Sequence, residues 1–537
     1  MKFSFRRSLA MTAVVCAGLA AVSTADAKTF KWANAGDVSS MDPYARQETF
    51  LLTFTQNIYD PLVRRDKDLK LEAALAVKWG QADKTTWFFD LRPGVKFSDG
   101  TPFTADDVVF SLNRANGPGS NMGSNFSSVK EIKKAGDLRV EVMTKYPYPL
   151  LADKWASLGM MSKAWAEKNN AVTPAEMTKK EENFATRNAM GTGPFMLKER
   201  KADERTVLVP NPGWWDKPTH NLTEVIFTPV ANPATRVAAL KAGDIDMMYE
   251  VPPADTDTLK KDPNINVLES PEIRIVYLGM DQERSELLES NVKGKNPFKD
   301  KRVREAINRS IDVDAIKRTV MRGQSFPTAL MVAPGINGYV KELDKRAPLL
   351  KPEEAKKLLA DAGYPDGFEL GMDCPNDRYV NDEKICQAVV AMLAKIGVKV
   401  NLRAQTRNLY FAKILRKGDG KQGDTSFYML GWSPGGTYDV HNVFEALIQS
   451  PNATTKKGLF NVGGYSNAQI DKLADAMEQE TDKTKREVMI REATKLYVDD
   501  FAYIPLHQQA LVWATRKNIE LVQLADNSFP LRFVTVK

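Results

Sequence analysis

The chain is poor in the residue types that most often carry catalysis. Its 537 residues include three histidines (His220, His441 and His507) and three cysteines (Cys16, Cys374 and Cys386). There is no His-Glu-x-x-His pair, no Gly-x-Ser-x-Gly elbow and no phosphate-binding loop ending in Gly-Lys. These absences exclude a zincin, a serine hydrolase built on that elbow and a P-loop nucleotidase. The cysteines have neither the number nor the spacing of a zinc site, and no His/Cys/carboxylate run suggests direct metal capture. Long apolar runs are also missing beyond the first 27 residues, so no later segment reads as a bilayer-spanning helix.

The opening residues, MKFSFRRSLAMTAVVCAGLAAVSTADA, have the form of an export leader. Lys2, Arg6 and Arg7 make a positive start, Leu9 to Ala21 an apolar stretch, and Ala25-Asp26-Ala27 a small-residue cleavage site. Cleavage before Lys28 would give a mature protein outside the cytoplasm. Three basic residues and one acidic residue leave with the leader, taking the formal charge from +7 to +5. With both signs interspersed along so long a chain, that excess does not point to nucleic acid or to a membrane surface. In an oxidising compartment Cys374 and Cys386 either form one disulfide or remain a buried free pair.

A chain of this length exceeds one core and implies two large lobes, or three to four smaller units. Thr86 to Leu91 alternates as a strand with Trp87, Phe89 and Leu91 on one side. Thr104 is a good helix N-cap, followed by Asp106 and Asp107 in the first turn. From about residue 300 the pattern becomes alternating helices and strands. The strand Phe368 to Cys374 is followed by a helix with stripe Ile385, Val389, Met392 and Ile396. The strand Val398 to Arg403, a helix around Leu409 to Leu415 and the strand Thr425 to Leu430 complete a β-α-β-α-β unit, hence a parallel sheet.

In open α/β sheets, ligands bind outside the carboxyl ends of the strands. Three loops leave those ends: 375–379, 405–408 and GWSPGGTYDVHN at 431–442. Together they bring Arg378, Tyr379, Arg407, Trp432, Tyr438 and Asp439 to one rim, with His441 beside it. Two guanidinium forks, aromatic faces and a carboxylate form a receptor for an acidic or zwitterionic solute. The competing reading is that these are loop residues satisfying local caps and surface contacts.

The segment Leu91 to Leu112 (LRPGVKFSDGTPFTADDVVFSL) closely resembles the signature of the family 5 extracytoplasmic solute-binding proteins. These are the dipeptide, oligopeptide and nickel-type receptors of ABC importers. Gly191 to Phe195 (GTGPF), Asn211 to Trp215 (NPGWW), Ala234 to Asp246 (ATRVAALKAGDID) and Pro297 to Ile307 (PFKDKRVREAI) agree in order. The resemblance covers essentially the whole mature chain. It implies an α/β fold of two lobes closing as a clamp, with mixed sheets. Lobe I would be 28–280 plus 506–537, with an extra subdomain at about 45–188, and lobe II 281–505. Connections would pass near Tyr277 to Asp281 and Ile504 to Gln508.

The resemblance further implies a periplasmic, monomeric receptor with no catalytic activity and no cofactor. It would capture a small molecule, most readily a short peptide, and deliver it to an inner-membrane permease. Arg378 or Arg407 would grip a carboxylate, Asp439 would meet a cation, and Trp432 and Tyr438 would pack on apolar parts. Met41, Asp42 and Tyr44, after the first strand, would close the other side. Peptide-binding relatives carry an amine-binding Asp about three residues after the Trp. Here that place is Gly435 and the first acid is Asp439, so either an insertion brings Asp439 there or that carboxylate is absent. A non-peptide solute such as an opine, a sugar or a chelated metal is the alternative, with His441 able to ligate a chelate from one side. A chaperone-like role resting on Trp214-Trp215 and Phe88-Phe89 is a further rival, although aromatic pairs are more often core.

Overall fold

A computed structural model describes residues 28–179, 181–416 and 421–537. The leader expected at 1–27 lies outside them.

One long mixed sheet runs through the molecule. Its strands, in spatial order, are Val398–Gln405, Phe368–Pro375, Phe427–Trp432, Ile265–Met280, Ile504–Arg516, Met247–Met248, Thr29–Asn34, Glu224–Pro229, Arg205–Pro210 and Phe195–Lys201. The short strand Ser325–Pro327 pairs to the side of Ile504–Arg516. The expected β-α-β-α-β unit is present. Phe368–Pro375 pairs in parallel with Val398–Gln405 over its whole length and with Phe427–Trp432 through Asp373 and Tyr428. Helices Asp382–Ala394 and Arg407–Ile414 make the crossovers. Glycines Gly363 and Gly397, both in the left-handed region, follow the two helices before these strands, where a side chain would strain the turn.

A second, four-stranded antiparallel sheet (Ala76–Gln81, Thr86–Leu91, Arg139–Thr144, Val129–Lys134) is inserted between Thr29–Asn34 and Phe195–Lys201. Trp87, Phe89 and Leu91 alternate inward on Thr86–Leu91. Helix Ala105–Asn116 begins with a capping box between Thr104 and Asp107 and buries Val108 and Leu112. The apolar side chains of this insert join those beneath the main sheet in one core that includes Phe30, Trp32, Trp155 and Trp513.

Two strands tie the lobes together. Ile265–Met280 and Ile504–Arg516 run antiparallel to each other, and the former's 16 residues span about 50 Å at ~3.3 Å per residue. At one end Ile265, Ala510, Val512 and Ala514 pack with Ala33 and Met248. At the other, Val276, Leu278, Ile504 and Leu506 pack with Phe368, Val398 and Phe427, while Ile273 and Ile275 join the core around Phe444 and Tyr497. The change from one core to the other therefore falls between Pro271 and Ile273 on one strand and around His507 to Gln509 on the other. The first of these precedes the boundary expected at 280/281: the strand itself ends at Met280, where the apolar run meets charged residues, and the change of core lies earlier along it. At this crossing the ladder breaks. Pro271 pairs with Ala510 and Ile275 with Gln508, leaving Glu272, Ile273 and Arg274 opposite Gln509 alone. Such a bulge turns side chains out of their regular alternation.

Candidate ligand-binding cleft

The loop 433–439 leaves the strand Phe427–Trp432 and sits against lobe I. The Arg65 guanidinium lies 4.2 Å from the Tyr438 ring centroid, and the Tyr438 hydroxyl donates to Asp526. Arg65 also pairs with Asp153 at 2.7 Å. A second contact is Tyr146 Oη donating to Glu478 Oε1 at 2.8 Å. Side chains from the two sides of the cleft thus touch at these points. Tyr438 holds a left-handed backbone, φ 53°, an uncommon state for a bulky residue and one that clusters at ligand clamps.

Trp432 is half-buried. Its indole Nε1 donates to Asn442 Oδ1 at 2.9 Å, and its ring meets Phe460 at 4.8 Å. On the neighbouring loop Tyr379 is buried against Gly431, whose carbonyl accepts from the Tyr379 hydroxyl at 3.4 Å. A Cβ at Gly431 would come within 2.6 Å of that ring, so glycine is required for the two loops to pack. Asp382 Oδ2 accepts the backbone N–H of Arg378 and of Tyr379, and a Cys374–Cys386 disulfide brackets the same turn. Arg378 is exposed, its guanidinium 5.0 Å from the Tyr379 ring centroid, with no carboxylate at ion-pair distance among the described residues. Arg407, exposed, opens the next helix with its backbone N–H on Asp377 Oδ1.

Other expected site residues belong to the scaffold. Asp439 is almost fully buried, and all its acceptor capacity is used inside the chain. Arg486 reaches both oxygens at 2.6 and 2.8 Å, Asn337 Nδ2 donates at 2.6 Å, and the His441 backbone N–H at 2.8 Å. It caps a helix and neutralises a buried arginine, which replaces the cation-binding role expected for it. His441 is buried. Desolvation, then the Arg486, Lys154 and Lys457 charges, hold its pKa well below the ordinary value, so it is neutral. Met41, Asp42 and Tyr44 are likewise interior. Arg114 grips Asp42 bidentately at 2.6 and 2.9 Å, and the Tyr44 hydroxyl donates to the Gly159 carbonyl. They support lobe I from within instead of lining its rim.

Sequence reasoning passed over the groups at the strand crossing. Glu272 is buried; its Oε1 accepts Arg274 Nε at 3.1 Å and its Oε2 accepts Gln509 Nε2 at 2.9 Å. Gln509 Oε1 in turn faces the Val380 N–H at 3.5 Å, next to Tyr379. Burial raises the Glu272 pKa, and Arg274 and Arg378 act against that rise. The signal was present: Glu272 and Arg274, two charges spaced i, i+2, stand immediately before the apolar run Ile275 to Met280.

A two-lobed receptor that engulfs its ligand between domains is the class of protein that this sheet, crossed twice between separate cores, defines. The model of the bacterial extracellular solute-binding proteins, family 5, middle, matches residues 70–455. The chain belongs to that family, whose members are the non-enzymatic solute-binding components of ABC importers. It is 28% identical over 520 residues to the glutathione-binding protein GsiB of Shigella dysenteriae, covering 96% of this chain and 95% of that one. Among solved structures, it resembles the binding protein AgaA of A. tumefaciens R10 in complex with agropinic acid (TM-score 0.75, 23% identity, 95% and 99% covered). It also resembles the dipeptide-binding protein of Pseudoalteromonas sp. SM9913 in complex with Met-Leu (TM-score 0.77, 22% identity, 95% and 100% covered). Family 5 binding proteins are periplasmic, and no helix among the described residues is long and apolar enough to cross a membrane.

Proposed function

We propose that this protein, as a monomer exported and cleaved before Lys28, captures a short peptide or a related amino-acid-derived acid. It closes its two lobes around the solute and hands it to an inner-membrane permease. The observation that carries this reading is the wall formed by loops 375–381 and 431–438. The unpaired guanidinium of Arg378 and the half-buried Trp432 stand on it beside the lobe contact at Tyr438. A guanidinium fork recognises a carboxylate, and the aromatic faces recognise apolar parts. Closure is a shift between open and closed states that the ligand drives by binding across both.

A second reading is favoured by Asp439. With its oxygens spent on Arg486 and Asn337, the usual acid for a peptide amine is missing from this loop, which suits an acidic non-peptide solute of the opine kind. The family spans both chemistries, since its relatives include a glutathione-binding protein and one crystallised with agropinic acid. Native mass spectrometry of the protein as purified, followed by thermal-shift assays with dipeptides, glutathione and opines, tests the proposal. At a hundred times Kd a true ligand adds about 2.7 kcal/mol of stability. No retained solute and no shift with any class would refute it.

A further inference from the structure

We infer that Arg274 anchors the ligand's carboxylate from the strand crossing, with Arg378 as its partner and Glu272 and Gln509 as its holders. This rests on the solute-capture reading and specifies the ligand it serves: a free carboxylic acid. Arg274 stands in the bulge where three residues face Gln509 alone, at the border between the two cores. Its side chain is 12% exposed, and its Nε is committed to Glu272. Its terminal nitrogens meet no acceptor among the described residues. A guanidinium with its stem buried, one edge fastened and the other edge free is oriented to receive a planar acid bidentately.

The charges around it agree. Glu272 is buried with both oxygens occupied, so it balances Arg274 and cannot also neutralise Arg378. Tyr379 of lobe II and Glu250 of lobe I both stand within electrostatic reach of Arg274. Glu250 is exposed, in a left-handed conformation, and makes no ion pair among the described residues. Arg274 thus senses groups of both lobes, and the relay Arg274–Glu272–Gln509–Val380 joins it to the loop that carries Arg378. One acid group between Arg274 and Arg378 would satisfy the open donors of the first and the missing counter-charge of the second.

The test compares free acids with blocked forms: Met-Leu against Met-Leu amide, and reduced glutathione against its diethyl ester, by titration calorimetry. Any solute released from the purified protein is measured before and after methylation of its carboxyls. Wild type should bind at least one acid tenfold or more better than its blocked form. Arg274→Gln should weaken that acid roughly 10- to 150-fold and bring the acid-to-blocked ratio near one, with the blocked form unaffected. Arg274→Lys should recover only part, because an ammonium lacks the fork. Because Arg274→Gln leaves Glu272 buried and unpaired, Arg274→Gln/Glu272→Gln is measured in parallel, and it too should lose the preference. A preference kept within threefold in both variants overturns the inference. So does a wild type that binds blocked forms equally or releases a solute without a carboxyl group, each leaving solute capture intact. A wild type that binds no probe and releases nothing overturns both readings.

Discussion

Asp439 and Arg486 are joined by hydrogen bonds of 2.6 and 2.8 Å, with side chains 1% and 9% exposed. Asp439→Ala removes one charge and strands the other. Removing one partner of a buried ion pair costs about 3–5 kcal/mol, because the remaining ion is desolvated without compensation. Here the lost helix cap at the His441 N–H and the orphaned Asn337 amide deepen the loss. The expected result is a fall of about 3–5 kcal/mol in the unfolding free energy of lobe II. It is read as a lowered urea midpoint with unchanged slope in the ligand-free protein. Asp439→Leu/Arg486→Met, which replaces both charges with apolar groups, should recover most of it. Ligand affinity of Asp439→Ala, measured well below its midpoint, should stay within a few-fold of wild type. The reasoning is refuted if stability is unchanged while affinity falls tenfold or more, for then the carboxylate serves a ligand cation and Arg486 has another partner.

Three further outcomes follow from the same contacts. Cys374→Ser/Cys386→Ser opens a disulfide of sequence separation 12 and should cost about 3 kcal/mol in urea, matched by reductant on wild type; no shift would show the bond is not formed. Asp60 is buried and accepts from Trp215, Trp214 and Thr192, and burial lifts its pKa to about 6. The folded state then holds this proton more tightly than the unfolded chain. Its contribution to stability should therefore rise by up to about 3 kcal/mol as pH falls from 7 to 4, and Asp60→Asn should erase that part of the slope in pH-dependent denaturation. Tyr146→Phe removes the hydrogen bond to Glu478 across the lobes; the closed form should weaken by about 1.5–3 kcal/mol, seen as a larger radius of gyration in small-angle scattering at sub-saturating ligand.

The fold was legible where local signals agree. Alternation over Thr86–Leu91 and the Thr104 cap each decide a backbone state within a few residues, and the parallel unit followed from the order of helices and strands after about residue 300. The partners of polar side chains were not legible. Asp42 meets Arg114 from 72 positions away, and Asp439 meets Arg486 from 47. Each arginine, read along its own helix, resembles an ordinary solvated charge. A loop carboxylate looks the same in sequence whether a ligand or a distant helix completes it.

That difference bears on where specificity resides. The loop GWSPGGTYDVHN gives up its only acid to the scaffold, so its remaining offerings are an indole, a phenol and small residues around Gly435 and Gly436. Such a surface can pack a ligand but cannot select its charge. Charge selection then falls to groups outside the loop, and the exposed Arg378 and the half-committed Arg274 are the two guanidinium groups beside Tyr379 with donors to spend. Arg274 differs from Arg378 in mobility: its stem is clamped in a bulge of a long paired strand, whereas Arg378 stands on a loop. A clamped donor loses less conformational entropy on binding than a loop donor. Losing Arg274 should therefore cost more affinity for an acidic ligand than losing Arg378, an order that paired Arg274→Gln and Arg378→Gln titrations against one free acid can reverse.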